Sequence, residues 1–174
     1  MLAPKFWYPE KNEKSISSTA LIPLGYIYAL LSKFRMLQSV QKHFDIPIVC
    51  IGNLNVGGTG KTPTTISAAQ FLIEKGYDVH LVSRGYGGTA KGPLLINDKE
   101  YSANEVGDEA LMLSAFAPTW VADKRSAGIK NAISEGAEII LLDDGFQDHS
   151  FKKKLNIICF HSNQSIGNGL VLPS

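Results

Sequence analysis

At 174 residues, 44% hydrophobic and 19% charged, the chain has enough apolar material for one substantial core and too much for an intrinsically disordered protein. A formal net charge of +1 excludes a global electrostatic pull toward nucleic acid. Its two cysteines, Cys50 and Cys159, sit in apolar runs without metal-ligand spacing, which reads as buried free thiols in a reducing compartment.

The charge is unevenly placed. Residues 1–45 hold six Lys/Arg and three acids, a local +3, so the remaining eleven bases and thirteen acids stand at −2. Residues 20–31 are almost entirely apolar, with Pro23 inside the run and Lys33 and Arg35 just after it. The run is too short to cross a bilayer as a helix, which takes about 20 residues. No small-residue cleavage site follows to make it a secretion signal. Two readings fit. One is an amphipathic helix at a membrane interface, with Tyr26, Tyr28 and Phe34 at headgroup level and Lys33 and Arg35 toward anionic lipid. The other is an ordinary helix packed on the domain.

Residues 46–63 follow, with Ile46, Ile48, Val49 and Ile51 predicting a buried parallel strand. The strand runs into a glycine-rich turn that ends Gly60-Lys61-Thr62, and a helical pattern comes next. Strand, glycine loop, Lys-Thr and helix make a phosphate-binding loop. Gly57, Gly58 and Gly60 leave the backbone N–H groups free to turn around phosphate oxygens. Lys61 is placed for the β/γ-phosphates and the Thr62 hydroxyl for Mg²⁺. Asn55 stands where the strict pattern has glycine. The boundary therefore falls between a segment over residues 1–44 and a nucleotide-binding domain over residues 45–174.

Pro63 is expected in the first helical turn, Ile66, Ala69, Leu72 and Ile73 on one buried face, and Gly76 at the helix end. Residues 77–83 predict a second strand that delivers Arg84 and a glycine-rich turn to the ligand-binding edge of the sheet. Arg84 is thereby either a substrate or phosphate contact or a solvated loop cation. Residues 94–96 and 100–101, with Asn97-Asp98 between them, suggest a small hairpin or an excursion. After Gly107, the acids Asp108 and Glu109 open a further helix, where they are either functional or simple compensation of the helix dipole. A short strand over 120–122 leads to Arg125 and a helix closing at Gly136. The run 138–144 is a central strand carrying Asp143 and Asp144 at its tip, facing Thr62 across a metal. The loop 145–149 brings Gln147 and His149 to the same edge, His149 being either a base or a solvated loop residue. A last strand is expected over 155–160. Strands alternating with helices imply an α/β, P-loop NTPase-like three-layer sandwich with a mostly parallel sheet, preceded by an N-terminal amphipathic helix.

The motifs GNLNVGGTGKTP (52–63), SRGYGG (83–88), GDEAL (107–111), DDGFQ (143–147) and GNGLVLP (167–173), in this order, resemble the tetraacyldisaccharide 4′-kinases of lipid A biosynthesis in Gram-negative bacteria. The resemblance spans nearly the whole chain, and the family's own loop does not keep a glycine at position 55. It implies an ATP- and Mg²⁺-dependent lipid kinase, peripheral at the cytoplasmic face of the inner membrane. Its partners would be that membrane and the lipid A disaccharide precursor, with no nucleic acid. The γ-phosphate would pass to the 4′-hydroxyl of a tetraacyldisaccharide 1-phosphate. By the same resemblance Asn55, Val56, Gly57, Gly58, Thr59, Gly60, Lys61 and Thr62 bind the nucleotide. Asp108 and Lys61 are catalytic, and Thr62, Glu109, Asp143 and Asp144 hold the metal. Arg84, Arg125 and Gln147 contact substrate. Ala110 replaces a proline common after the GDE, and Asp148 a histidine common after the DDGFQ. Family members are longer, so the chain looks like their amino-terminal half, without the histidine that partners the catalytic acid. The alternatives are another P-loop small-molecule kinase or ligase, and an inactive nucleotide-binding fragment.

Overall fold

The computed structural model describes residues 41–53, 60–97 and 99–160, together with Pro23, Gly25, Ile27, Leu30, Leu31 and Phe34. Its strands are β1 (Ile48–Gly52), β2 (Val79–Ser83), β3 (Leu94–Leu95), β4 (Thr119–Val121), β5 (Ile139–Asp143) and β6 (Leu155–Ile158). Its helices are α1 (Lys61–Glu74), α2 (Ala103–Val106), α3 (Asp108–Ser114) and α4 (Arg125–Ser134). The strands form one sheet in the order β3-β4-β2-β5-β1-β6, parallel throughout except for the antiparallel β3.

Side-chain alternation divides the strands' apolar residues between two cores. On one face Ile48, Cys50, Val82, Trp120, Ile140 and Leu142 pack with Ile129 and Ala132 of α4. On the other, Val79, Leu81, Ile139 and Leu141 pack with Ala69 of α1 and Leu113 of α3. Helices on both faces of a mostly parallel sheet make the α/β sandwich its third layer. The central strands β2 and β5 are buried along their whole length, which is why they read as continuous apolar runs.

Gly76 closes α1 with a φ of 88°, while its own N–H and that of Tyr77 reach back to Ile73 and Leu72. This is the Schellman arrangement, and it recurs at Gly136 after α4. Ile73, expected on the buried face, is 42% exposed. The buried face of α1 runs through Ile66, Ala69 and Leu72, which pack on the Val79 and Leu81 side of the sheet, and Ile73 lies outside that cluster.

Of the two expectations for residues 94–101, the hairpin does not form and the segment is an excursion that pairs elsewhere. Leu94 and Leu95 pair with Val121 and Trp120, and residues 99–100 only turn the chain. There Ser102 and Glu105 form a capping box that starts α2, with the Ser102 N–H and hydroxyl 2.9 and 2.8 Å from a Glu105 carboxylate oxygen. Cys50 is buried as expected, whereas Cys159 is only partly so because it follows the sparsely covered edge strand β6.

Residue contacts divide the chain into two compact units. One comprises residues 40–53 and 60–159 and carries the sheet. The other comprises residues 1–39, 54–59 and 160–174. In the latter the six described positions between 23 and 34 are helical. Ile27, Leu30, Leu31 and Phe34 follow i, i+3, i+4, i+7 spacing, and each is more than half exposed. Among the described residues no helix is long and apolar enough to cross a membrane. The glycine-loop expectations at Asn55, Val56, Gly57, Gly58 and Thr59, and the 167–173 motif, lie outside the described residues.

Candidate phosphate-binding cleft

Parallel strands deliver their C-terminal residues to one edge of the sheet, and helices that follow them begin there with free N–H groups. A cavity of about 600 Å³ opens at this edge, lined from β2 onward by Ser83, Arg84 and Tyr86, from α3 by Glu109, from the loop after β4 by Asp123, and from the start of α4 by Arg125. Lys61, Asp143, Asp144, Gln147 and Asp148 complete its wall.

Gly60, at a φ of 78°, turns the chain into α1. The first helical residue, Lys61, sends its ammonium to within 3.0 Å of Asp144 Oδ2. Asp143 shares strand parity with Ile139 and Leu141 and so points to the α1 side. The Thr65 hydroxyl lies 3.5 Å from Asp143 Oδ1 and also donates to the Lys61 carbonyl at 3.1 Å. Thr62, one turn earlier on α1, is buried as well. With 3% of its surface exposed, Asp143 has its pKa pushed up to about 6. Loss of solvation is the main cause, and the neighbouring Glu109 charge adds to it against the opposing pull of Lys61.

Arg125 is the other strongly buried charge. Its Nη2 donates to the Asp144 carbonyl at 2.7 Å, and its Nε is buried without a hydrogen-bond partner among the described residues. Burial lowers its pKa, though nearby Asp148 and Asp144 offset part of the effect.

Two glycine turns bring the remaining residues together. Gly107, with a φ of 89°, joins α2 to α3, and a Cβ there would stand 2.5 Å from the Tyr86 carbonyl oxygen. A Cβ on Gly88 would collide with the Glu105 carbonyl. The 85–88 turn thus lies backbone to backbone against the α2–α3 junction, an approach open only to glycine. That contact places Tyr86 and Arg84 beside Glu109 at one mouth.

Of the expected site residues, the structure gathers Lys61, Arg84, Glu109, Arg125, Asp143, Asp144 and Gln147 around the cleft, while Thr62 is buried next to Lys61 in the first turn of α1 and is not part of the lining. Asp108 opens α3, exposed and outside the lining, and His149 is likewise outside it. Ser83, Tyr86, Asp123, Asp148 and Thr65 were not anticipated. Thr65 carried a usable signal, since four residues beyond Lys61 is the same helix face. Asp148 accepts from the Ser150 N–H and hydroxyl at 3.0 and 2.6 Å, fastening the loop that carries Gln147.

The charge pattern suits a polyanion bound with a hard cation. Cationic Lys61, Arg84 and Arg125 share the cleft with oxygen donors on Asp143, Asp144 and Glu109. Among the described residues no three His, Cys, Asp or Glu side chains form a ready-made metal cage. Mg²⁺ needs none, because it usually takes one or two carboxylates and completes its shell with phosphate and water.

A family profile described as tetraacyldisaccharide-1-P 4′-kinase matches residues 17–174. The chain is 47% identical over its whole length to a tetraacyldisaccharide 4′-kinase of Jannaschia sp. (strain CCS1), covering 52% of that relative. It is 41% identical to that of Parvibaculum lavamentivorans, covering 51%. Among solved structures it resembles LpxK from Aquifex aeolicus in complex with ATP, with a TM-score of 0.70 and 29% identity over 82% of this chain and 49% of that one. The chain therefore spans about half the length of the relatives it matches.

Proposed function

The chain belongs to the tetraacyldisaccharide-1-P 4′-kinase family, and on that premise we propose that it carries the nucleotide-binding part of an ATP-dependent lipid kinase. The reaction moves the γ-phosphate of ATP to the 4′-hydroxyl of a tetraacyldisaccharide 1-phosphate, a precursor of lipid A. The observation that carries the reading is the Lys61–Asp144 pair at 3.0 Å beside the buried Asp143, at the sheet edge where α1 begins.

Phosphoryl transfer asks a protein chiefly for positioning and charge neutralisation. Lys61 exchanges its Asp144 partner for β/γ-phosphate oxygens, while Gly60 and the start of α1 offer N–H groups. Thr62 and Asp143, with Asp144 and Glu109 alongside, would hold Mg²⁺, which supplies charge neutralisation on the phosphates when bound. Arg84 and Arg125 face the same space and stabilise phosphate charge, and Gln147 lines the acceptor side. Asp108, exposed beside Glu109, is the base for the acceptor hydroxyl. The exposed Ile27, Leu30, Leu31 and Phe34 stripe supports peripheral attachment to the inner membrane, where a lipid acceptor resides.

Calorimetric titration of the 174-residue chain with Mg·ATP tests the nucleotide part. Lys61→Ala should weaken binding at least tenfold, the value of about 1.5–3 kcal/mol for a charge-assisted contact. Equal affinity in the two proteins refutes the assignment. Transfer of labelled γ-phosphate to the disaccharide, as opposed to another hydroxyl acceptor, tests the substrate.

A further inference from the structure

Asp144 is the one non-glycine residue, among those described, whose φ is positive, at 54°. Its carboxylate meets Lys61 only because the backbone turns there. The turn is fastened from several directions. The Asp144 N–H donates to the Ile51 carbonyl at 2.9 Å. Beyond it, three successive carbonyls face two cations. Arg125 takes the first, at Asp144, while Lys153 donates to Gly145 at 2.5 Å and to Phe146 at 3.0 Å.

Lys153 is unusual for a lysine in a Lys152-Lys153-Lys154 run. Its neighbours are exposed, but it is only partly so, with the ammonium 6.0 Å from the centre of the Phe151 ring. Burial lowers its pKa, yet the charge has been brought in to meet backbone carbonyls, and no carboxylate among the described residues pairs with it. It comes from the segment before β6, outside the cleft lining, and grips the turn from behind.

We propose that Lys153 is a positioning residue for the phosphate cleft: by holding the Gly145 and Phe146 carbonyls it fixes the left-handed turn that presents Asp144 to Lys61. An ordinary surface lysine would spend its donors on water. Here two of the three are committed to adjacent carbonyls, the arrangement that stops a peptide plane from flipping. The effect on nucleotide binding rests on the Mg·ATP reading above, whereas the effect on Asp144 does not.

The test is a double-mutant cycle on the 174-residue chain, with Lys153→Met, Lys153→Arg, Asp144→Asn and Lys153→Met/Asp144→Asn titrated with Mg·ATP. Lys153→Met should weaken binding about tenfold, the cost of one charge-assisted contact misplaced. Lys153→Arg should recover most of it. The double variant should bind no worse than Asp144→Asn alone, because the lysine acts through that carboxylate. Independently of any nucleotide, the ¹³C resonance of the Asp144 carboxyl should respond to Lys61→Met in the wild-type background and cease to respond in Lys153→Met. Unchanged affinity and carboxyl response in Lys153→Met, or strictly additive losses, overturn the inference. A wild-type chain that fails to bind Mg·ATP refutes the nucleotide reading instead, and the carboxyl resonance then decides for Lys153. Should Lys153→Met not fold, Lys153→Gln takes its place. If neither folds while Lys153→Arg does, the residue merely holds the fold and the inference is wrong.

Discussion

Replacing Asp143 by Asn should make the protein more stable while removing its capacity for Mg·ATP. The carboxyl is 3% exposed and its pKa stands at about 6, against 3.8 for the ordinary group. A difference of about two pKa values at 1.36 kcal/mol each amounts to about 3 kcal/mol of disfavoured ionisation. The sign follows from which state binds protons more readily. With the native pKa raised, the folded protein takes up a proton before the unfolded chain does as the pH falls. The penalty is therefore complete above pH 6 and is relieved between about pH 6 and pH 4. Asn is nearly isosteric and carries no charge, so urea unfolding followed by tryptophan fluorescence should find Asp143→Asn more stable by about 1–3 kcal/mol at pH 8. The gap should close toward pH 4, and Mg·ATP affinity should be lost at every pH. A variant no more stable than wild type at pH 8, with a difference that ignores pH, refutes the account of a charge held in the core for its function.

Other expectations follow from the same geometry. Asp108→Ala should lower the rate of phosphoryl transfer about 10²–10⁴-fold, the usual contribution of a general base, while Mg·ATP affinity changes little; an undiminished rate removes Asp108 from the chemistry. On β2, His80 Nδ1 accepts from Trp120 Nε1 at 3.1 Å, its Nε2 lies 3.3 Å from Asp78, and burial lowers its pKa. The native state therefore resists the proton that the unfolded chain accepts, and this site loses stability as the pH falls below about 6.5. Trp120→Phe should cost about 1–3 kcal/mol at pH 7.5 by leaving that nitrogen unpaired, with the gap to wild type narrowing at pH 5. For the N-terminal stripe, Leu30→Asp with Phe34→Asp should abolish flotation with anionic vesicles, and unchanged flotation would assign the stripe another role.

The fold was legible where local chemistry and tertiary burial agree. Four aliphatics before Asp143 can be little but a central strand, and Gly76 and Gly136 terminate their helices because the αL position demands it. Residues 94–101 were not legible, since two leucines bounded by Asn97 and Asp98 look like half of a hairpin. Their partner is β4, more than twenty residues on, a pairing that local pattern does not encode. The Ser102/Glu105 capping box, by contrast, is written in the local sequence, a serine followed three residues later by a glutamate. At the site, Lys61, Asp143 and Asp144 could be brought to one edge from motif order, because a phosphate loop and an acidic strand tip both belong at the C-terminal ends of parallel strands. Thr65 was within reach, four residues beyond Lys61 on the same helix face, whereas Asp148 was not, since carboxylates in such loops are common and only the third dimension aims them. Lys153 was hidden among three consecutive lysines, and burial alone separates it from its neighbours.

The contact between the 85–88 turn and the α2–α3 junction also bears on how the cleft can move. Two backbones that touch without intervening side chains have no soft material between them, so neither slides without carrying the other. Arg84 and Tyr86 on one side and Glu109 on the other then behave as a single mechanical jaw, anchored where the chain leaves β2 and where α3 leads into β4. A ligand that draws in the arginine also draws in the acid at the start of α3. Opening and closing become one cooperative event, and hydrogen exchange at Gly88 and Gly107 should rise and fall together.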